Sequence, residues 1–151
     1  MKEVKANHYV ETIIHITDKL LRNIKAELRN KFDEIGQDIT SEQFVVLDTI
    51  SCYPEIYQQK LSSILMKDKS NTTRILKLLE EKELIKKSAG KKDGRPVYYI
   101  EITNKGMNII NIAMPKIKKS ITDIFASVSD EEIELLHKLS KKFEKDLNYQ
   151  E

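Results

Sequence analysis

Ser70, Asn71, Thr73 and Arg74 crowd one short stretch, and each carries a side chain that hydrogen-bonds. Amide and guanidinium groups pair bidentately with adenine and guanine edges, each pair being worth about 1–3 kcal/mol of base discrimination, and a threonine methyl can meet the methyl of thymine. Lys77 lies a turn deeper, where a cation touches phosphate and sets position without reading sequence. Beyond it, Lys86, Lys87, Lys91, Lys92 and Arg95 face one acid, Asp93. That density of cations suits phosphate, or an arginine in a narrow minor groove. Asp93 is expected to hold a cation of this segment in place, because a carboxylate facing phosphate repels it. The bland alternative for any one of these groups is a solvated polar surface.

Charge along the chain sharpens the point. Between Lys60 and Arg95 eleven Lys/Arg stand against five Asp/Glu, while the remainder has fifteen against nineteen; a net +2 therefore hides one basic quarter. With 151 residues and 40% hydrophobic content the chain is expected to be a single domain, 1–151, with its own core. Four glycines and three prolines suit a mostly helical protein. The single cysteine, Cys52, excludes an internal disulfide and zinc sites built on cysteine pairs, and is expected to be a small buried hydrophobe at a helix end. No apolar run reaches signal-peptide or membrane-spanning length, so the expected location is the cytoplasm, with no membrane partner.

The elements that must carry these groups follow from periodicity and caps. Val10, Ile13, Ile14, Leu20, Leu21, Ile24, Leu28 and Phe32 repeat by threes and fours, predicting a helix over 7–35 that Gly36 stops. Thr40-Ser-Glu-Gln43 is a capping-box start for a second helix, ended by Pro54. Leu61, Ile64 and Leu65 mark a short third helix. Asp68 then caps a fourth over 69–82, with Thr72, Ile75, Leu78 and Leu79 inward and the polar groups named above outward. Two β-prone runs, 85–88 and 97–102, flank a glycine-bearing turn. Thr103 opens a fifth helix with Met107, Ile110, Met114, Ile117, Ile121, Ile124 and Val128 on one stripe and a kink expected at Pro115; Ser129-Asp-Glu-Glu132 opens a sixth with Ile133, Leu136, Leu139, Phe143 and Leu147.

A short helix, a turn of about four residues, a helix with a polar outer half and a basic hairpin together make a winged helix-turn-helix. The predicted fold class is mainly α, with a winged DNA-binding core at about 40–103 and long flanking helices at 7–35 and 104–149. Those flanking stripes carry more apolar surface than the core can cover, so a homodimer is expected. Its two reading helices would meet successive major grooves about 34 Å apart, which implies double-stranded DNA with an inverted-repeat operator.

The motifs also resemble a family. Ser70, Thr73-Arg74, Leu79-Glu-Glu-Lys-Glu-Leu-Ile85, Asp93 with Arg95, and Ile102-Thr103 to Gly106 are similar to the pattern of the MarR (multiple antibiotic resistance regulator) family. The resemblance implies a triangular homodimer joined by its terminal helices, a repressor of transcription released by a small aromatic or anionic effector. It also implies that Ser70, Thr73 and Arg74 read the major groove and Arg95 the minor groove. Three positions depart from the pattern: Met66-Lys67 replaces a Gly-apolar turn, Thr72 an aliphatic residue, and Glu83 a glycine. Oxidation-sensing members resemble one another in a cysteine near the start of the first helix, which this chain lacks.

Two rival readings share the fold. His8, Glu11 and His15 are spaced by three and four and could serve a zinc-responsive regulator, although no cysteine or third histidine lies nearby; metal and cofactor are expected to be absent. A winged helix can also bind protein partners instead of DNA. An enzyme is not expected: no GxGxxG, P-loop or Ser/His/Asp spacing occurs.

Overall fold

The computed structural model describes residue 8 and residues 12–146. Six helices and a three-stranded antiparallel sheet follow one another as α1 (Ile13–Asp33), α2 (Ser41–Cys52), β1 (Ile56–Tyr57), α3 (Gln58–Ile64), α4 (Lys69–Glu81), β2 (Ile85–Lys92), β3 (Arg95–Ile102), α5 (Asn104–Ile124) and α6 (Asp130–Asp146). The predicted mainly helical winged fold is thus present.

Caps fix the starts. The Thr40 hydroxyl accepts from Gln43 N at 3.2 Å while the Gln43 side chain accepts from Thr40 N at 3.0 Å, the reciprocal box that opens α2. Asp68 caps α4 and Thr103 caps α5 in the same N3-directed way. Thr12 caps α1 with an extended backbone. The first helix therefore starts at Ile13 rather than near Asn7, and His8 precedes it instead of sharing a face with His15. Tyr9, Val10, Glu11 and Leu147 lie outside the described residues.

Phe32, Phe44, Val46, Leu47, Ile50, Leu61, Ile75, Leu76, Leu79, Leu84 and Ile100 form the core, where α2, α3 and α4 close over the sheet; Ile110 and Ala113 of α5 complete it. On α4, Leu76 is buried and Leu78 only half-buried, reversing the expected weight of those two leucines. Cys52 is exposed, not buried: it ends α2 on the turn that leaves the core, so its thiol meets solvent.

The sheet order is β1-β3-β2. Strand β1 was not predicted; its two residues exist as a strand only because they pair with Tyr99 and Ile100 of β3. The hairpin is longer than expected, since Lys92 pairs with Arg95 and only Asp93 and Gly94 make the turn. Both have positive φ (50° and 76°), the signature of a type I′ turn. Asp93 thereby shapes the wing through its backbone and makes no ion pair among the described residues.

Gly106 explains the Thr-x-x-Gly opening of α5. A Cβ there would stand 2.3 Å from the Leu84 carbonyl oxygen and 2.8 Å from Ile102. Only hydrogen fits, and the α4–β2 and β3–α5 junctions close on each other through Thr103 N to Leu84 O (3.0 Å) and Thr103 Oγ1 to Glu83 O (2.8 Å). Helix α5 runs through Pro115 to Ile124, so Val128 falls beyond it. In α6 no described side chain is buried. Among the described residues no helix is long and apolar enough to cross a membrane.

Candidate nucleic-acid interface

Helix α4 presents two unlike sides. Thr72, Ile75, Leu76 and Leu79 are buried, which anchors the helix and leaves Ser70, Thr73, Arg74 and Lys77 exposed and Asn71 half-exposed. Thr72, where an aliphatic residue is usual, enters the core at no polar cost because its hydroxyl donates to Asp68 O at 3.0 Å. The turn joining α3 to α4 spans Leu65 to Asp68, the four residues expected.

The reading groups are held from several sides. Thr73 Oγ1 donates to Lys69 O (2.7 Å) and accepts from Gln58 Nε2 (2.6 Å), so its hydroxyl proton is committed and its methyl is the part left for a base. Arg74 Nη2 donates to Asn71 Oδ1 at 3.0 Å. Glu42, in the first turn of α2, accepts from Lys67 Nζ (2.7 Å) and Asn71 Nδ2 (3.4 Å), and its other oxygen lies 3.6 Å from Arg74. The hydrogen bond from Lys67, helped by the charges of Lys67 and Arg74, holds this carboxyl below the usual glutamate range despite some desolvation. Among the described residues Lys77 pairs only with Glu81, loosely at 3.7 Å with both side chains largely in water, and stays available to phosphate.

The wing divides its cations. Lys86 pairs with Glu101 (2.7 Å) and Lys87 with Glu80 of α4 (2.5 Å), so these two work on structure and the second ties β2 to the reading helix. Lys91, Lys92 and Arg95 surround the turn, exposed and without an ion pair among the described residues. Their base is stiffened by Tyr99, whose ring covers Gly90 so closely that a Cβ there would lie 2.5 Å from it. Its hydroxyl donates to Lys91 O at 3.1 Å, and Tyr57 stands edge-on to it at 6.5 Å.

Every candidate residue of α4 and the wing tip is thus at the surface, on two elements in contact. Sequence reasoning missed Glu42 and Gln58. Gln58 could have been found as the first residue of the first helix of the motif; Glu42 had no signal, because its partners lie 25 to 32 positions away. For the zinc reading, Glu11 lies outside the described residues, and among the described ones no group of His, Cys, Asp or Glu gathers as a metal site.

A helix-turn-helix whose second helix shows polar groups outward, flanked by a cationic type I′ hairpin, defines the winged helix-turn-helix DNA-binding class. The MarR family model matches residues 39–97. A Bacillus subtilis (strain 168) protein named as the uncharacterized HTH-type transcriptional regulator YsmB is 29% identical over 88% of this chain and 93% of its own. Among solved structures, a MarR protein from Peptoclostridium difficile is 26% identical with a TM-score of 0.75, covering 97% of this chain and 91% of that one. The S. aureus MepR–DNA complex is 20% identical with a TM-score of 0.76, over 89% and 98% of the two chains. The winged-helix segment is thus similar to the MarR family, and the chain is a DNA-binding transcription regulator.

Proposed function

We propose that the chain acts as a homodimeric repressor on an inverted-repeat operator, with α4 in the major groove, the wing in the minor groove, and release by a small aromatic or anionic ligand. One observation carries the DNA geometry: the wing-tip cations Lys91, Lys92 and Arg95 are exposed and make no ion pair among the described residues, beside a reading helix buried on its other side. Ser70, Asn71, Thr73 and Arg74 read bases; Lys77, Lys91 and Lys92 hold phosphates; Arg95 enters the minor groove. That MepR was solved on DNA supports this arm.

The dimer rests on apolar surface that the chain leaves in water. Ile13, Ile14, Leu20 and Leu21 of α1 and Leu135, Leu136 and Phe143 of α6 are each at least half exposed. Terminal helices so patterned fit a second copy. For the effector, an open cleft of about 520 Å³ between α1 and α5 sets Lys31, Lys116 and Lys119 against Glu27, Glu34 and Asp123 beside the apolar Ile35 and Ile124; Lys31 is paired with Glu34, which leaves Lys116 and Lys119 to meet the carboxylate of an aromatic acid.

Selection from random duplexes is the test. Recovered sites are expected to carry inverted repeats with half-sites about 10 base pairs apart; unrelated sequences or no enrichment overturn the reading. Arg74→Ala then costs sequence preference, whereas Lys91→Ala and Lys92→Ala weaken binding to all duplexes and lower the salt slope by about one each. Equal loss on selected and random DNA for Arg74→Ala removes its base-reading role. Binding that a panel of aromatic acids such as benzoate leaves unchanged removes the effector arm.

A further inference from the structure

Glu42 is a carboxylate standing inside a surface otherwise built for phosphate, and it is reached from three residues. Lys67 Nζ and Asn71 Nδ2 converge on its Oε1 at 2.7 and 3.4 Å, and Arg74 Nη2 lies 3.6 Å from its Oε2. Arg74 Nη2 also donates to Asn71 Oδ1, which closes a ring of three side chains on two helices. Within that ring the Asn71 amide has one sense, carbonyl toward Arg74 and amino group toward Glu42. Arg74 spends one nitrogen on the ring, and its other donors make no contact among the described residues.

We propose that Glu42 is a positioning residue for sequence discrimination: it orients Asn71 and Arg74 for base edges and keeps Lys67 and Arg74 from binding phosphate indiscriminately. This rests on the DNA-reading role given above to Asn71 and Arg74. A long guanidinium free in solution reaches many phosphates; one tethered by a carboxylate gains by leaving it only where a guanine offers two acceptors in the right geometry. A negative charge at this place repels every backbone alike, so the specificity it contributes comes from holding Asn71 and Arg74 for base edges, which offsets the repulsion only on the selected sequence. The first turn of α2 is a favourable seat for it, since the helix N-terminus stabilises an anion.

Glu42→Gln keeps the shape and removes the charge. Fluorescence anisotropy on the selected duplex and on a random duplex of equal length, across a salt series, reads the effect, with thermal melting as the check on folding. Affinity for random DNA is expected to rise while that for the selected duplex changes little, so their ratio falls about tenfold. On random DNA the salt slope steepens by one to two, because Lys67 and Arg74 each bring about 0.9. In an Arg74→Ala background Glu42→Gln lowers the ratio by less, because only Asn71 is left for it to orient. If Glu42→Gln melts early, Glu42→Asp, which keeps the charge but draws it back by one methylene, must lower the ratio instead. Parallel falls, parallel rises at constant ratio, or no change on either duplex each overturn the proposal. A wild-type protein that never prefers its selected duplex overturns the base-reading function as well, which separates the two failures.

Discussion

At the level of single residues, two of the departures from the family pattern turn out to share one geometry. Met66 (φ 50°) follows α3 and Glu83 (φ 59°) follows α4, both in the left-handed region. Around each, the two amides bond back into the helix as a Schellman motif does: Met66 N to Ser63 O and Lys67 N to Ser62 O, then Glu83 N to Glu80 O and Leu84 N to Leu79 O. The turn is therefore the glycine turn, made without glycine. A side chain in this region costs roughly 1–2 kcal/mol, part of which glycine returns through its freer unfolded chain. Glu83→Gly is accordingly expected to stabilise the protein by about 0.5–1 kcal/mol, read as a higher urea midpoint at constant m-value. Glu83 loses only an exposed 3.5 Å contact to Lys105. A lower midpoint would mean that this contact outweighs the backbone.

Among elements, the junction at Gly106 decides how the winged core meets α5. Gly106→Ala drives a methyl into the Leu84 carbonyl, a backbone atom that cannot step aside without parting α5 from β2. The expected cost is about 2–3 kcal/mol by urea unfolding. A loss under about 0.5 kcal/mol would show that the junction yields. Most of this architecture was legible in the sequence because its signals are local. The Thr40–Gln43 box and the Asp68 and Thr103 caps each act within four residues and stand where the spacing put them, while the hairpin turn proved tighter than the glycine-bearing stretch suggested. What escaped was made by distant partners. Ile56 and Tyr57 become a strand only against β3, and Glu42 acquires its role only when α2 packs beside α4. Cys52 was misplaced because composition describes how often a thiol is buried, not which side of α2 faces out at its last turn. Ser70, Arg74, Lys91, Lys92 and Arg95 could be picked out as candidates because charge and polarity mark a surface whatever the packing beneath it.

For the whole molecule, the question is what covers α1 and α6. Leu136 is 62% exposed within its own chain, so Leu136→Glu has little packing of that chain to break. It is expected to yield a monomer by light scattering, with the winged core still folded by circular dichroism, and to lose most operator affinity because two half-sites no longer bind as one. An unchanged dimer would place the subunit contact elsewhere. Helix α6 itself has 17 residues, and none of its side chains is buried among the described residues. A helix of that length left to itself is only marginally stable in water. In the proposed dimer its order would follow protein concentration, through the mass action of a second copy. Were that dimer to form, scarce, newly made copies would carry a fraying tail that proteases can reach and abundant ones would not, so the order of the last helix would favour copies already plentiful enough to pair.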